Sequence, residues 1–305
     1  MSTAGVASTL RGARRGLGTW ADRRIKWLLV APVVLFILAL TIFPLGYSVW
    51  LSVVQFDFRL EGHPWVGEKN FYDVITNTVF QDALWRTFAI VAIIIAVEFA
   101  VGLVLALLLV QPFRGRRFVI PILIMPLFMA PIAVGQTWRL IWDNQSGPVN
   151  YILSLIWPGD VTITWTVESP YNWIAIVVTD AWQWVPFMFI ILLAGLVAIP
   201  EDVYEAASLD GASKWEIFRE VTLPLLAPII TIAIAFRMID ALKLFDIVFA
   251  LTGGGPGTST FTTSFFLFEQ GFRLFRLDVA AAGSWIFLII VAAISFQLVR
   301  RLLPR

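Results

Sequence analysis

Residues 199–224 read IPEDVYEAASLDGASKWEIFREVTLP and differ sharply from the apolar sequence on either side of them. They contain six acidic and two basic residues, so this stretch is expected to lie in water. Pro200 suits the first position of a helix, and Gly211 suits the left-handed residue that ends one. Ser213 and Glu216 have the spacing of a capping box, which starts a second helix. The stretch therefore predicts two short helices joined by a tight turn, between two long apolar segments.

The apolar segments place the chain in a membrane. Of its 305 residues 59% are hydrophobic and 14% charged, with a mean hydropathy of +0.83, whereas soluble domains have about 45–50% apolar and about 25% charged residues. A membrane-crossing helix needs about 20 mainly apolar residues. The sequence therefore predicts an all-α, polytopic membrane protein of six transmembrane helices. They are expected at residues 27–53, 87–110, 118–142, 172–199, 225–251 and 279–299.

The distribution of lysine and arginine predicts the orientation of these helices. Fourteen lysine and arginine residues lie on the side that holds both termini and the polar stretch, and five lie on the other side. Cytoplasmic loops carry the excess of basic residues, so both termini are expected in the cytoplasm. Residues 1–26 form a basic cytoplasmic segment, and residues 27–303 form a single six-helix domain with a cytoplasmic loop at residues 200–222.

Composition excludes several classes of function. The chain has no cysteine and one histidine, His63, so it lacks the residues for thiol catalysis, disulfides or a histidine-rich zinc site. A net charge of +1 provides no electrostatic surface for nucleic acid. None of its four lysines follows a glycine, so it has no Gly-Lys-Ser/Thr loop for binding ATP phosphates. No cofactor is expected in this chain.

Ionisable residues inside the predicted spans have two interpretations. Each costs about 2.5–3.5 kcal/mol in hydrocarbon and needs a partner or a wet cavity. Arg237–Asp240 and Lys243–Asp246 have the spacing of ion pairs that join helices, but the same residues could line a cavity. Glu98 is expected to hydrogen-bond a neighbouring helix rather than a ligand. The full set is Glu98, Arg139, Asp180, Arg237, Asp240, Lys243 and Asp246.

One face of the fourth span combines hydrogen-bonding and aromatic side chains. Asp180, Gln183, Trp184 and Phe187 follow helical spacing, so they share this face. Such a mixture suits the hydroxyl edges and apolar faces of a sugar. In the third span, Pro121, Pro126 and Pro131 predict either fixed curvature or a flexible point.

The polar stretch also carries a family motif. Glu205-Ala206-Ala207, then Gly211, then Val221-Thr222-Leu223-Pro224 resembles the EAA motif of permease subunits of binding-protein-dependent ABC importers. The family pattern is EAA, three residues, Gly, nine residues and Ile-x-Leu-Pro, and Val221 in place of isoleucine is the only departure. Other segments resemble the sugar-importing branch, and the first span resembles the first-subunit type of maltose permease. These segments are WRLIW at 138–142 with Gly147 and Asn150, LLAGL at 192–196, and LTGGGP at 251–256.

The resemblance implies a type I ABC importer permease fold and a set of partners in a bacterial inner membrane. They are a second EAA-type permease subunit forming a heterodimer, two ATP-binding cassette subunits that hold ATP and Mg²⁺, an extracytoplasmic sugar-binding protein and membrane lipid. The loop would couple ATP hydrolysis to transport by docking in a cleft of an ATPase subunit. The implied docking residues are Glu205, Ala206, Ala207, Asp210 and Gly211.

The resemblance also implies substrate-facing positions: Asp180, Gln183, Trp184 and Phe187 in the fourth span and Arg237, Ala241 and Leu244 in the fifth. The expected cargo is a neutral di- or oligosaccharide. Arg237 and Lys243 leave an anionic sugar derivative or a polyol phosphate, such as a sulfosugar or glycerol phosphate, as the alternative. An intramembrane enzyme or a channel is a more distant alternative, since a channel has no use for an EAA-type helix.

Overall fold

The computed structural model describes residues 4–56, 62–157 and 159–302, with side chains for residues 25, 27, 29–56, 62–157, 159–297 and 300. Across these residues the regular structure is helical, apart from one isolated β-bridge between Val54 and Trp65. The helices are α1 (Ala4–Val53), α2 (Lys69–Ile75), α3 (Thr78–Leu109), α4 (Arg116–Ile124), α5 (Pro131–Ile141), α6 (Pro148–Ile156), α7 (Tyr171–Val197), α8 (Glu201–Leu209), α9 (Lys214–Glu216), α10 (Leu223–Ala241), α11 (Asp246–Leu251), α12 (Thr263–Phe268) and α13 (Leu277–Leu302).

Five helical segments in the described part of the chain are long and apolar enough to cross a membrane, and each overlaps a predicted span. They are residues 29–53 of α1, then α3, α7, residues 214–241 and α13. The segment 214–241 joins α9 to α10 through a π-helical turn at Ile217–Thr222. The all-α polytopic fold is therefore confirmed.

The third predicted span is bent. The predicted helix at residues 118–142 is divided into Arg116–Phe128, whose last four residues form a 3₁₀ turn, and Pro131–Ile141. The two halves meet at 100°, which makes them either one broken span or a re-entrant loop. Pro131 stands at the first position of α5, where its missing N–H leaves no unsatisfied donor.

The fifth predicted span is shorter than expected. Its apolar residues continue to Leu251, but α10 ends at Ala241 and a separate short helix, α11, begins at Asp246. The third and fifth predicted spans are thus both interrupted, and α11 packs against α5, the second half of the bent span. Gly135 of α5 makes this contact possible, because a Cβ there would lie 2.5 Å from the Cβ of Ala250.

The core of the bundle is the pairing of α3 with α7, which is the most extensive helix contact in the described structure. At Gly102 the helices approach so closely that a Cβ would lie 2.7 Å from the Cβ of Met188. α10 packs across both helices. Side chains of opposite charge on these three helices can therefore meet inside the bundle.

The first helix lies apart from this core. Residues 29–50 of α1 are almost all exposed, and α1 contacts only α2 and α13 extensively among the described elements. Exposed apolar side chains of this kind suit hydrocarbon or another membrane helix. The predicted boundary at residue 26 falls within continuous helical backbone. Residues 1–3 and 303–305, and the side chains of Arg11, Arg14, Arg15, Arg23, Arg24 and Lys26, lie outside the described residues.

Candidate functional site

Arg237 of α10 is the centre of a buried charged cluster. Its Nε and Nη2 donate to Oε2 and Oε1 of Glu98, each at 2.8 Å. Nη2 also donates to Oδ2 of Asp180, and Nη1 donates to Oδ2 of Asp240 at 3.3 Å. Glu98 belongs to α3 and Asp180 to α7, so one guanidinium joins three helices.

Burial explains why this cluster is so completely paired. The side chains of Glu98, Asp180 and Arg237 are 0%, 3% and 2% exposed, and an unpaired charge at such depth is strongly unfavourable. The indole of Trp184 lies over the guanidinium, with its ring centre 4.7 Å from Cζ, and covers it further. The expectation that Glu98 bonds a neighbouring helix is confirmed.

The second predicted ion pair is wrong in its partner. Lys243 contacts Oδ1 of Asp240 at 3.2 Å rather than pairing with Asp246. The spacing rule assumed one continuous helix, but α10 ends at Ala241, so Lys243 and Asp246 do not lie on the same helix. The predicted pair of Arg237 with Asp240 does form.

A polar cavity of about 200 Å³ adjoins the charged cluster at the level of both helix breaks. Of the seven residues assigned to substrate by resemblance, five line it: Asp180, Trp184, Arg237, Ala241 and Leu244. Asp240, Lys243 and Asp246 also line it, which agrees with the cavity-lining alternative for these ionisable residues. The helix breaks add three residues that the sequence did not indicate, namely Pro131, Phe245 and Ile247.

Gln183 and Phe187 are not among the residues that line this cavity. The Gln183 side chain is buried, and its Nε2 donates to the backbone carbonyl of Met129 at 2.8 Å. Phe187 packs edge-on against Trp184, with ring centres 6.3 Å apart. Gln183 thus satisfies a carbonyl at the break of the bent span, and Phe187 supports the indole that covers Arg237.

We expect Gln183→Leu to loosen the break of the bent span. The substitution removes the partly buried hydrogen bond to the Met129 carbonyl, which contributes about 0.5–1.5 kcal/mol. Hydrogen–deuterium exchange should become faster across residues 129–134, and the midpoint of thermal unfolding should fall.

Gln136→Leu is the matched control, because it makes the same change at an exposed site on α5. We expect it to leave exchange at the break close to that of the unmodified protein. Equal exchange in both variants would contradict the role given to Gln183.

A larger cavity, of about 720 Å³, lies between α3, α4, α5 and α7. Its lining includes Val101, Ile122, Val185 and Phe189 and is almost wholly apolar. A sugar needs several hydrogen-bonding groups, which this cavity does not provide. The smaller polar cavity is therefore the better candidate for a substrate site.

The predicted cytoplasmic loop folds as two exposed helices. α8 ends at Leu209 with Asp210 as its C-cap, and Gly211 follows in the left-handed region, at φ +81°. The capping box is confirmed, since Ser213 N–H donates to Oε2 of Glu216 at 2.7 Å and the Ser213 hydroxyl accepts from the Glu216 N–H.

The outer surface of α8 is open to a partner. Glu205 and Ala206 are exposed, and the apolar side chains of Leu209 and Trp215 are 89% and 66% exposed. On the other side of α8, the hydroxyls of Tyr204 and Thr222 lie 3.4 Å apart and connect this helix to the base of the segment 214–241. α8 is therefore hydrogen-bonded to the segment that carries Arg237.

Comparisons with known proteins agree with this architecture. Residues 98–305 match the family described as "Binding-protein-dependent transport system inner membrane component". The chain is 34% identical over 280 residues to a trehalose/maltose transport system permease protein of Thermococcus litoralis, covering 92% of this chain and 93% of the relative. It is 33% identical over 263 residues to a sulfoquinovosyl glycerol transport system permease protein of Agrobacterium fabrum, covering 86% and 84%.

The fold has also been seen in a solved structure. A bacterial ABC transporter involved in the import of the acidic polysaccharide alginate contains a chain that superposes with a TM-score of 0.78. The superposition covers 93% of this chain and 98% of that one, at 23% sequence identity.

Proposed function

Because the chain belongs to the family of binding-protein-dependent transport system inner membrane components, we propose that it is a permease subunit of an ATP-driven importer of a di- or oligosaccharide. It is a transport subunit and not an enzyme, and the ATPase of such a transporter is a separate subunit. The chain is a multi-pass protein of the inner membrane. Its orientation, with both termini in the cytoplasm, remains part of the proposal.

The polar cavity carries this proposal. It combines carboxylate and ammonium groups with the indole of Trp184, at the point where the bent span is broken and α10 is separated from α11. Broken helices expose backbone and polar side chains only where these line a cavity or are buried in protein, and in transporters such breaks mark substrate sites. The arrangement supports a site for hydroxyl-rich cargo near the middle of the bundle.

The size of the cavity supports a second permease subunit. Ligand sites typically enclose about 300–1,000 Å³, so about 200 Å³ is too small for an oligosaccharide. A heterodimeric partner would complete the site, and the exposed apolar surface of α1 is available for it as well as for lipid. An extracytoplasmic binding protein would deliver the sugar.

We assign ATPase coupling to α8 and the turn after it. Glu205, Ala206, Ala207, Asp210 and Gly211 lie on this exposed segment, next to the apolar side chain of Leu209. A channel or an intramembrane enzyme would have no need for such a docking helix. The coupling residues thus favour the importer over both distant alternatives.

An anionic cargo is the second candidate. It is favoured by Arg237 and Lys243 at the cavity and by the relative named for sulfoquinovosyl glycerol, an anionic compound. The relative named for trehalose and maltose favours a neutral cargo. The charges around the cavity discriminate between these two cargoes.

Reconstitution tests the proposed function. The chain is co-purified with its candidate second permease, ATPase and binding protein, and the complex is inserted in liposomes. We expect accumulation of labelled trehalose or maltose that requires both ATP and the binding protein. The control complex carries an ATPase subunit whose phosphate-binding lysine is replaced by alanine. Sugar flux that persists in that control would identify a channel instead.

A further inference from the structure

The donors of Arg237 are almost fully used inside the protein. A guanidinium has five N–H groups, and four of them point to Glu98, Asp180 and Asp240. One Nη1–H remains without a partner among the described residues. Binding a carboxylate, sulfonate or phosphate through a fork requires two parallel N–H groups. Arg237 therefore cannot hold an anionic ligand in the way its presence in the sequence suggested.

The charge around the cavity is also unfavourable to an anion. Asp180, Asp240 and Asp246 line it together with two cations, Arg237 and Lys243. Glu98 lies directly behind Arg237. Glu98 and Asp180 are both bonded to Arg237 and compensate its charge, so the cavity keeps Asp240, Asp246 and Lys243, whose formal charges sum to −1. This net negative charge repels an anion that enters the cavity, and the repulsion weakens with salt because Asp240 and Lys243 are accessible to water.

The groups that remain free suit neutral hydroxyls. Asp240 is 43% exposed, and it contacts Arg237 through one carboxylate oxygen and Lys243 through the other. Because a carboxylate offers roughly four acceptor sites, about two of them remain free. Lys243 is 65% exposed and uses one of its three N–H donors for Asp240. An adjacent acceptor and donor of this kind can bind vicinal hydroxyl groups, beside the indole of Trp184.

We propose that this cavity selects uncharged saccharides and rejects their anionic derivatives. In this assignment Asp240 and Lys243 form hydrogen bonds with the hydroxyl groups of the sugar, and Arg237 is a clamp that holds α3, α7 and α10 together. Asp246 contributes to the rejection of anions. The inference rests on the proposed function, because it names the class of cargo for the same site.

Direct binding to the transporter separates this selectivity from that of the binding protein. The purified complex of both permeases and the ATPase, without binding protein, is titrated by calorimetry with matched neutral and anionic probes. The pairs are trehalose and trehalose 6-phosphate, maltose and maltose 6′-phosphate, and glucosylglycerol and sulfoquinovosyl glycerol. In every pair that binds, we expect the anionic member to bind about tenfold more weakly or worse at low salt. The difference should shrink in about 1 M salt, where screening is strong.

A double variant, Asp240→Asn with Asp246→Asn, tests the source of the selectivity. We expect it to reduce the penalty on the anionic member several-fold and to weaken the neutral member through loss of the Asp240 acceptors. Asp73→Asn, at an exposed position on α2, is the control and should change neither.

The outcomes are distinguishable. Equal or tighter binding of the anionic member in the unmodified complex, or an unchanged ratio in the double variant, overturns the inference and leaves sugar import standing. If none of these saccharides binds to the unmodified complex, the inference is overturned, and uptake in the liposome assay decides separately whether sugar import stands.

Discussion

Arg237→Leu is expected to leave little or no correctly folded protein in the membrane. The substitution removes the cation between Glu98 and Asp180, which are 0% and 3% exposed and belong to different helices. Breaking a buried ion pair costs about 3–5 kcal/mol, a large part of the about 5–15 kcal/mol that keeps a typical protein folded. Fluorescence-detected size-exclusion chromatography of detergent extracts measures the yield of monodisperse protein, and thermal unfolding measures its stability.

Two further variants separate charge imbalance from loss of packing. The triple variant Glu98→Leu, Asp180→Leu, Arg237→Leu replaces the buried charges by apolar groups, and such replacements are often neutral or stabilising. We expect it to regain most of the yield. Lys243→Leu removes a 65% exposed cation and should cost less than about 1 kcal/mol. If Arg237→Leu folds as well as the unmodified protein, the proposed role of Arg237 as a clamp is contradicted.

The spans could be predicted because hydrophobicity is a property of consecutive residues. The fourth span, predicted at residues 172–199, is α7 at Tyr171–Val197. The start of the second was less accurate, since α3 begins at Thr78 rather than at residue 87. Its first turns contain polar residues that no apolar count includes, and Asn77 caps the helix by accepting from the N–H of Phe80.

The helix breaks depend on contacts between distant residues, which no local pattern contains. Three prolines indicated a bend in the third span, but the 100° angle is held by Gln183, which is 54 residues from Met129 in sequence, and by packing on Ala250. Helical spacing likewise predicted Arg237–Asp240. It could not predict the bidentate contact of Arg237 with Glu98, 139 residues away, because hydropathy does not show which faces of two spans meet.

The conformation of the polar stretch at residues 199–224 was predicted almost completely because its signals are local: a proline at one end, a glycine at the turn and a capping box within four residues.

The ATPase-docking role proposed for α8 is tested most sharply by Glu205→Lys. Glu205 is exposed on α8 and is within one turn of the exposed Leu209. A reversed charge at a docking contact is expected to cost several kcal/mol in the assembled complex. We expect the variant permease to fold but to lose stimulation of ATP hydrolysis by sugar-loaded binding protein, or to lose the ATPase subunits altogether.

Glu68→Lys is the matched control for Glu205→Lys. It makes the same reversal at an exposed residue that precedes α2, on the side expected to face away from the ATPase. Thermal unfolding of the isolated permease should be the same in both variants, since neither side chain forms an ion pair in the described structure. Copurification and ATPase stimulation should then fail for Glu205→Lys alone. Normal ATPase stimulation in Glu205→Lys would contradict the assignment of α8 to the ATPase. The proposed route of coupling runs from α8 through Tyr204 and Thr222 to the helix of Arg237, so the same result would contradict that route as well.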